Sequence, residues 1–358
     1  MIVFFAVFLA ALALYMQNRS MTKGLDSVKE DHWIDAAIVE PEEKFHIVIS
    51  LKNTGHGLIP FLRVSESIPY RMNLLMESGF TMKDSRGGKL VTYTTWLRPR
   101  QEVRKYFPVS ASRRGRYFLQ ELTLGGGDFL GLSERTRSYN RFREVVAVPK
   151  AAPEQAVGEV LGGFMGDVSV RRFIMEDPVL TLGYREYTGR EPMKMISWTQ
   201  SARGMGLMVK KYDYTLEPAV SVLLNLESTS DNCEDALERC FSLTRTVCAT
   251  LEERGIQYDF ATNAVIAGAM ADLSAMSEGL GQRHFEGILE ALGRATYTVS
   301  RSADRLLAGS ASAGYGSARG RILITPDRTA ISLQMLNRLR EVSGGNLLVI
   351  AASEVEPW

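Results

Sequence analysis

From about Asp35 to Lys150 apolar and polar positions alternate. In EKFHIVISLKNTG, Phe45, Ile47, Ile49 and Leu51 fall on one side, and His46, Ser50 and Lys52 on the other, before an Asn-Thr-Gly turn. A period of two marks a strand with one buried face. The runs GKLVTYTTWL, EVRKYFPV, GRYFLQELTL and EVVAVP read the same way, with MNLLMESGF as a short insertion among them. Short strands broken by Gly, Pro and Ser predict an antiparallel β-sandwich. GGGDF, Gly125 to Phe129, reads as a turn between two of its strands.

After Pro149 the rhythm changes. Residues 151–170 are rich in Ala, Gly and Val and read as a linker or loop. VSVLLNL, Val220 to Leu226, is a continuous apolar run of the kind buried on both faces. Cys233, Ala236, Leu237, Cys240, Phe241, Thr244, Val247, Cys248 and Leu251 then recur at helical spacing, and Gly255 stops the helix. IQYDFAT, RILITPD and NLLVIAAS read as further strands, HFEGILEALGRA and ISLQMLNRLREV as helices between them. Alternating strands and helices imply right-handed crossovers and a mostly parallel sheet. Residues 306–320, small and glycine-rich, read as a mobile loop.

The N-terminal run Ile2 to Met16 carries no charge. It is shorter than the roughly 20 residues of a full span, and no positive residue precedes it, which favours a membrane anchor over a signal peptide. Arg19 and Lys23 follow, so the positive-inside rule puts the rest of the chain in the cytoplasm. The expected organisation is an anchor at 1–23, a sandwich at 24–150 and an α/β region at 151–358.

Charge removes one function class. Lys plus Arg is 42 and Asp plus Glu is 41, which leaves no electrostatic case for nucleic acid. A local basic cluster, Arg98, Arg100, Arg104, Lys105, Arg113, Arg114 and Arg116, reads as charges guarding strand edges, with anionic lipid or an acidic partner as the alternative. The cysteines at 233, 240 and 248 share one helix face about two turns apart, too far for a disulfide, and read as small apolar core residues. No P-loop, HExxH or GxSxG pattern occurs, and the four histidines are scattered. No enzyme is expected on that ground.

The stretch LLNLESTSDN, residues 223–232, gathers oxygen-bearing side chains where a strand gives way to a helix. Its plain reading is a cap: Ser230 or Asp231 at the N-cap, with Glu234 in the first turn. An altered metal site or a site for another ligand stands beside that reading.

YREYTGREPMKMISWTQSARGMGLMVKKYD, Tyr184 to Asp213, mixes Arg, Glu, Trp and Tyr too densely for a linker. It resembles the signature of family number 58 among the domains of unknown function. Arg185, Glu186, Tyr187, Ile196, Trp198, Ser201, Ala202, Arg203, Leu207, Val209 and Lys210 stand in register, while Arg190-Glu191 replaces a Gly-Asp pair and Lys194 an arginine. RRGRYFLQELTLGGGDFLGL is similar to a second family segment, with Phe129 in place of Pro. Arg185, Glu186 and Arg203 are candidates for a charge network, and Trp198 for a core anchor. Tyr187, Ser201 and Lys210 complete a signature with a structural or a partner-binding role.

The resemblance implies an α+β multidomain chain: an N-terminal membrane helix, an antiparallel β-sandwich, and a doubly wound α/β domain similar to von Willebrand factor A. In such domains D-x-S-x-S and a later Thr and Asp hold Mg²⁺. Those positions fall on Asn225, Glu227, Thr229 and Asp327, with Gln282 and Arg283 where the threonine loop would be. The set is degenerate, so no cofactor is expected, and Mg²⁺ is the ion it would take if it took one. The function implied is that of a membrane-anchored, non-enzymatic interaction protein working with a MoxR-type AAA+ ATPase in assembly or maturation of other proteins. The alternatives are a metal-dependent ligand-binding module of von Willebrand A type, and a hydrolase or transferase using Glu186 or Glu191.

Overall fold

In the computed structural model the alternation of the first 150 residues resolves into ten strands. The structure describes Phe4, Phe8 and residues 24–355, apart from 77, 86, 128–133, 173–176, 190, 205, 214–218, 230–232, 270 and 313–318. The chain divides into two units, Met1–Lys150 and Ala151–Trp358.

The strands of the first unit are β1 (Val28–Ile34), β2 (Ile38–Val39), β3 (Phe45–Asn53), β4 (Ile59–Pro69), β5 (Met72–Leu74), β6 (Thr81–Ser85), β7 (Gly88–Leu97), β8 (Glu102–Ala111), β9 (Gly115–Gly127) and β10 (Glu134–Ala147). They form a four-stranded sheet, β1-β3-β8-β5, and a six-stranded sheet, β2-β10-β9-β4-β7-β6. Pairing is antiparallel except between β2 and β10. Ile47, Ile49 and Leu51 of one sheet meet Leu62, Val64, Leu119 and Leu122 of the other in a single core. The segment read as an insertion supplies β5, an edge strand.

GGGDF is not the expected turn. Gly125, Gly126 and Gly127 continue β9, and Asp128 and Phe129 lie outside the described residues. The glycines are there for close approach. A Cβ on Gly127 would stand 2.7 Å from the Phe61 ring.

The second unit opens with helix α1 (Gly158–Arg172), followed by the hairpin of β11 (Asp177–Glu186) and β12 (Met208–Asp213). Then come β13 (Ala219–Leu224), α2 (Glu234–Glu253), β14 (Gln257–Thr262), β15 (Ala264–Ile266), β16 (Ala275–Gly279), α3 (Gln282–Arg294), β17 (Ala295–Val299), α4 (Ala303–Ser312), β18 (Gly320–Thr325), α5 (Leu333–Val342) and β19 (Leu347–Ala351). Its main sheet runs β16-β14-β13-β18-β19. β14, β13, β18 and β19 are mutually parallel, and β16 is antiparallel at one edge.

Alternate residues of the central strands feed two cores. Val220, Val222, Leu224, Phe260, Ile322 and Ile324 pack with Phe241, Val247 and Leu251 of α2, Ile288 and Leu292 of α3, and Leu161 and Met165 of α1. Leu223 and Leu323 point the other way, to Leu307 of α4 and Leu339 of α5. Gly255, at φ +65°, ends α2 in a left-handed turn. Residues 158–170 are therefore not a linker. Gly162, Gly163 and Gly166 hide the helix, while Leu161, Phe164 and Met165 at i, i+3 and i+4 bury its face. Part of the stretch read as a mobile loop belongs to α4, and residues 313–318 lie outside the described residues.

The expected fold class is corrected. Strands take 45% of the described residues and helices 26%, so β structure dominates and the balanced α+β class does not hold. Nor is the second unit the expected doubly wound domain of von Willebrand A type. Its strands divide among three sheets, two of them two-stranded, and the main sheet is mixed.

The membrane expectation is corrected too: among the described residues no helix is long and apolar enough to cross a membrane. The 15 residues of Ile2–Met16 lie outside the described residues except Phe4 and Phe8. As a helix they would extend roughly 22 Å, short of a hydrocarbon core of about 30 Å. The expected transmembrane helix, the membrane as a partner, and a membrane location with the rest in the cytoplasm fall with it.

Gly88 tests the sandwich. A Cβ there would lie 2.3 Å from the Ile68 carbonyl oxygen, a backbone atom held in the β4–β7 ladder. Gly88→Ala is expected to cost about 1–3 kcal/mol in urea unfolding, and an unchanged midpoint would refute the clash.

Candidate functional site

Three neighbouring parallel strands end together. Leu224 is level with Thr262 on one side and Ile324 on the other. The next residues, Asn225, Asn263 and Thr325, therefore form a row beyond the apolar strand ends, and all three are fully buried. A buried polar row must satisfy itself.

Asn225 makes four hydrogen bonds, the full capacity of a primary amide. Its Nδ2 donates to the Glu227 carbonyl (3.1 Å) and to Thr325 Oγ1 (3.0 Å). Its Oδ1 accepts from Asn263 Nδ2 (2.7 Å) and from the Glu227 backbone N–H (3.0 Å). Asn263 Oδ1 takes the Leu226 N–H at 2.8 Å, and Thr325 Oγ1 donates to the Asp327 carbonyl at 2.8 Å.

The other candidate ligands are equally engaged. Glu227 Oε2 accepts the N–H of Ala303, first residue of α4, at 2.6 Å. That is helix capping by a carboxylate, but at α4 and not at α2. Asp327 Oδ2 accepts from Ser228 Oγ (3.0 Å), and Oδ1 from Thr329 N (2.9 Å), Thr329 Oγ1 (2.6 Å) and Ala330 N (3.0 Å). Thr229 Oγ1 lies 3.0 Å from Thr329 Oγ1. Partial burial alone would raise the Asp327 carboxyl, yet the hydrogen bonds from Thr329, Ser228, Ala330 and Thr229 outweigh it and hold the group below its usual value.

The structure brings Asn225, Glu227, Thr229 and Asp327 to one end of the sheet. It places Gln282 and Arg283 at the other. Gly281 bonds Glu252, and His284 lies 3.0 Å from the carbonyl of Tyr258, near the start of β14. Ser230 and Asp231, the expected caps of α2, lie outside the described residues, and Cys233 holds the N-cap position. Asn263, Thr325 and Thr329 are the partners missed from the sequence. Asn263 and Thr325 carried the signal that singled out Asn225, a polar residue directly after an apolar strand.

A hard cation needs several free oxygens in octahedral or looser array. Here Asn225 Oδ1, Glu227 Oε2 and both carboxylate oxygens of Asp327 already accept protein donors. Among the described residues no three His, Cys, Asp or Glu side chains are grouped so as to hold a metal ion. The arrangement ties β13, β14, β18 and the start of α4 together.

The signature segment is built differently. Arg185 pairs with Glu191 and not with Glu186. Glu191 also accepts from Thr188 N (3.1 Å) and Oγ1 (2.8 Å), and Arg185 first, then Thr188, bring its carboxyl down to about 2. A carboxylate held so firmly ionised is a poor general acid or base near neutrality, which counts against Glu191 as a catalytic group. Ser201 Oγ accepts the Met208 N–H at 2.9 Å and donates to the Ser197 carbonyl at 2.9 Å. Tyr187 N–H donates to the Leu207 carbonyl at 2.8 Å. Ile196 and Val209 are buried beneath this frame, with Lys210 beside them half-buried. Arg203 and Glu186 are exposed. Trp198 is not the expected core anchor: it is 60% exposed, with Met193 at 67%, Leu207 at 45% and Tyr184 at 43%.

No family model matches the chain, and no curated protein matches it. Solved structures similar to parts of it include the full-length major pilin SpaD from Corynebacterium diphtheriae, at 13% identity and a TM-score of 0.25, covering 32% of this chain and 34% of the pilin. A cohesin module from a Clostridium perfringens family 33 glycoside hydrolase gives 10% identity and 0.24, covering 33% and 95%. A non-cellulosomal cohesin from Archaeoglobus fulgidus gives 12% and 0.22, covering 31% and 90%. The chain thus spans about a third of the pilin's length. Likeness at these scores says nothing about activity or partner.

Asn225→Asp would restore an acidic ligand at the strand end. It also removes two buried donors and adds a buried charge, so a loss of about 3 kcal/mol or more in urea unfolding is expected. Millimolar Mg²⁺ should leave the Tm of the natural chain unmoved and should not rescue the variant. A Mg²⁺-dependent rise in either Tm would overturn the structural role.

Proposed function

We propose that the chain is a non-enzymatic interaction protein that docks a partner on the β11–β12 hairpin and the segment between its strands. The supporting observation is the pairing of two properties in residues 184–210. The frame is braced from within, by Arg185–Glu191 and by Ser201. Yet Tyr184, Met193, Trp198 and Leu207 turn outward. An aromatic and apolar surface on a pre-braced frame is what binding hot spots require, because little freedom remains to be lost on association.

The partner proposed is a MoxR-type AAA+ ATPase. This rests on the resemblance of Arg185, Glu186, Tyr187, Ile196, Trp198, Ser201, Ala202, Arg203, Leu207, Val209 and Lys210 to the family-58 signature. The proposed role is assistance in assembly or maturation of other proteins, with the energy coming from the partner's nucleotide hydrolysis.

The test is a binding titration of the full chain against the MoxR-type ATPase of the same organism. Trp198→Ala should leave the unfolding midpoint unchanged, since its side chain is solvent-facing, and should weaken binding by about 30-fold, the loss of a hot-spot tryptophan. No binding by the natural chain, or undiminished binding by Trp198→Ala combined with Met193→Ala, would sink the proposal.

A further inference from the structure

The interior of the sandwich holds a polar cluster that the fold does not satisfy. Glu30 Oε2, both ring nitrogens of His32, both carboxyl oxygens of Glu66 and the Tyr93 hydroxyl are sealed from solvent and meet no hydrogen-bond partner. They come from both sheets: Glu30 and His32 from β1, Glu66 from β4, Tyr93 from β7. His32 and Glu66 are each 2% exposed, and His32 Nε2 stands 3.8 Å from Glu66 Oε1. That is beyond a hydrogen bond but close enough to feel any charge.

The charges around the pair do not neutralise it. On β1, Glu30 is engaged by Arg141 of β10 at 3.1 Å, and Asp31 sits beside His32 in sequence. Arg143 of β10 donates to the His32 carbonyl at 3.0 Å. β9 adds the negative Glu121. The Lys105 ammonium of β8 lies 5.7 Å from the centre of the Tyr93 ring. β3 offers only Ile49 opposite His32.

We propose that His32 and Glu66 form a proton-operated latch between the two sheets, closed while Glu66 carries a proton and released when it gives that proton up. An ionised Glu66 would be a buried anion without a donor, with Glu30 and Glu121 nearby. Burial first, and then those two carboxylates, hold its carboxyl well above the usual value. Burial, then Arg143, bring His32 down to about 4, so the imidazole does not take the proton over.

The sign follows by linkage. Glu66 contributes its full share of stability below its ordinary value of 4.5 and loses it as pH rises through the raised folded value. His32 contributes fully above 6.5 and loses its share as pH falls toward about 4. Between 4.5 and 6.5 the pair holds one proton in both folded and unfolded chains, so its contribution is level there. Above 6.5 the unfolded chain has lost that proton, so stability falls with rising pH for as long as the folded chain keeps it on Glu66.

The experiment is urea unfolding of the full chain from about pH 6 to about pH 9, where one linked proton changes the folding constant by up to about tenfold per pH unit. In a Trp198→Phe, Trp358→Phe background, fluorescence of Trp33 and Trp96 reports on the sandwich. The natural pair should lose stability across the range, and Glu66→Gln, which cannot ionise, should flatten that part of the slope. Equal slopes in the two proteins would overturn the latch. If Glu66→Gln does not fold, infrared spectra of the otherwise natural chain with ¹³C-labelled glutamate decide the matter. A protonated-carboxyl band shifted by the label at neutral pH and lost in alkali supports the latch, and its absence at neutral pH refutes it. The label separates Glu66 from Asp259, whose carboxyl is also raised by burial.

Discussion

The second unit depends on the register of its three central parallel strands. Because Leu224 is level with Thr262 and Ile324, the chain turns polar at the same height in each strand. Asn225, Asn263 and Thr325 are then buried together, and Asn225 answers both the Asn263 donor and the Thr325 acceptor. A slip of one residue in any strand would exchange the side chains that feed the two cores and leave several of these polar groups orphaned. From this row the loops take their course. Asn225 holds both the N–H and the carbonyl of Glu227, which fixes the residue whose carboxylate then meets the first N–H of α4. Thr325 holds the carbonyl of Asp327, whose carboxylate in turn gathers Ser228, Thr329 and Ala330.

The same sheet treats charge differently at its other end. Arg319 bonds Asp259 Oδ2 at 2.6 Å, Glu278 Oε2 at 2.5 Å and Ser221 Oγ at 2.9 Å. Arg321, with no exposed surface, donates to Ser343 Oγ at 3.0 Å and to the Ser310 carbonyl at 3.3 Å. These charges come with partners already placed, so they specify which face of the sheet receives α4 and α5. The His32–Glu66 interior of the sandwich has the opposite character. Its groups have no such partners, and its preferred state is the one with the least charge. A satisfied polar network rigidifies; an unsatisfied one responds to whatever changes its charge.

Much of the fold was legible because periodicity reports burial. Alternation in Phe45–Leu51 marked β3, and the stripe from Leu237 to Leu251 marked α2. Three readings failed for separate physical reasons. The glycines of α1 lowered its apparent propensity, though Leu161, Phe164 and Met165 still made its buried face. Gly125 to Gly127 looked like a turn because glycine serves equally where the backbone must bend and where a Phe61 ring must come close. The von Willebrand A expectation came from local likeness, which carries no information about how strands divide among sheets. At the strand end, position was legible and chemistry only half so. Asn225 stands where the resemblance implies an aspartate, and its Nδ2 donates two bonds that no carboxylate could make. Asn263 and Thr325 carried the same polar-after-apolar signal, but only the strand register shows that they sit beside it.

Trp198 carries the remaining argument. A tryptophan in a segment dense with charges invites a core assignment, since burying its ring removes a large apolar area from water. The hairpin does not need it there, because Ile196 and Val209 already fill the space beneath and the Arg185–Glu191 pair closes the turn. A ring left 60% exposed buries little of its apolar area on folding. Its apolar area is left for another surface to cover, and that is the ground on which association is proposed for this segment.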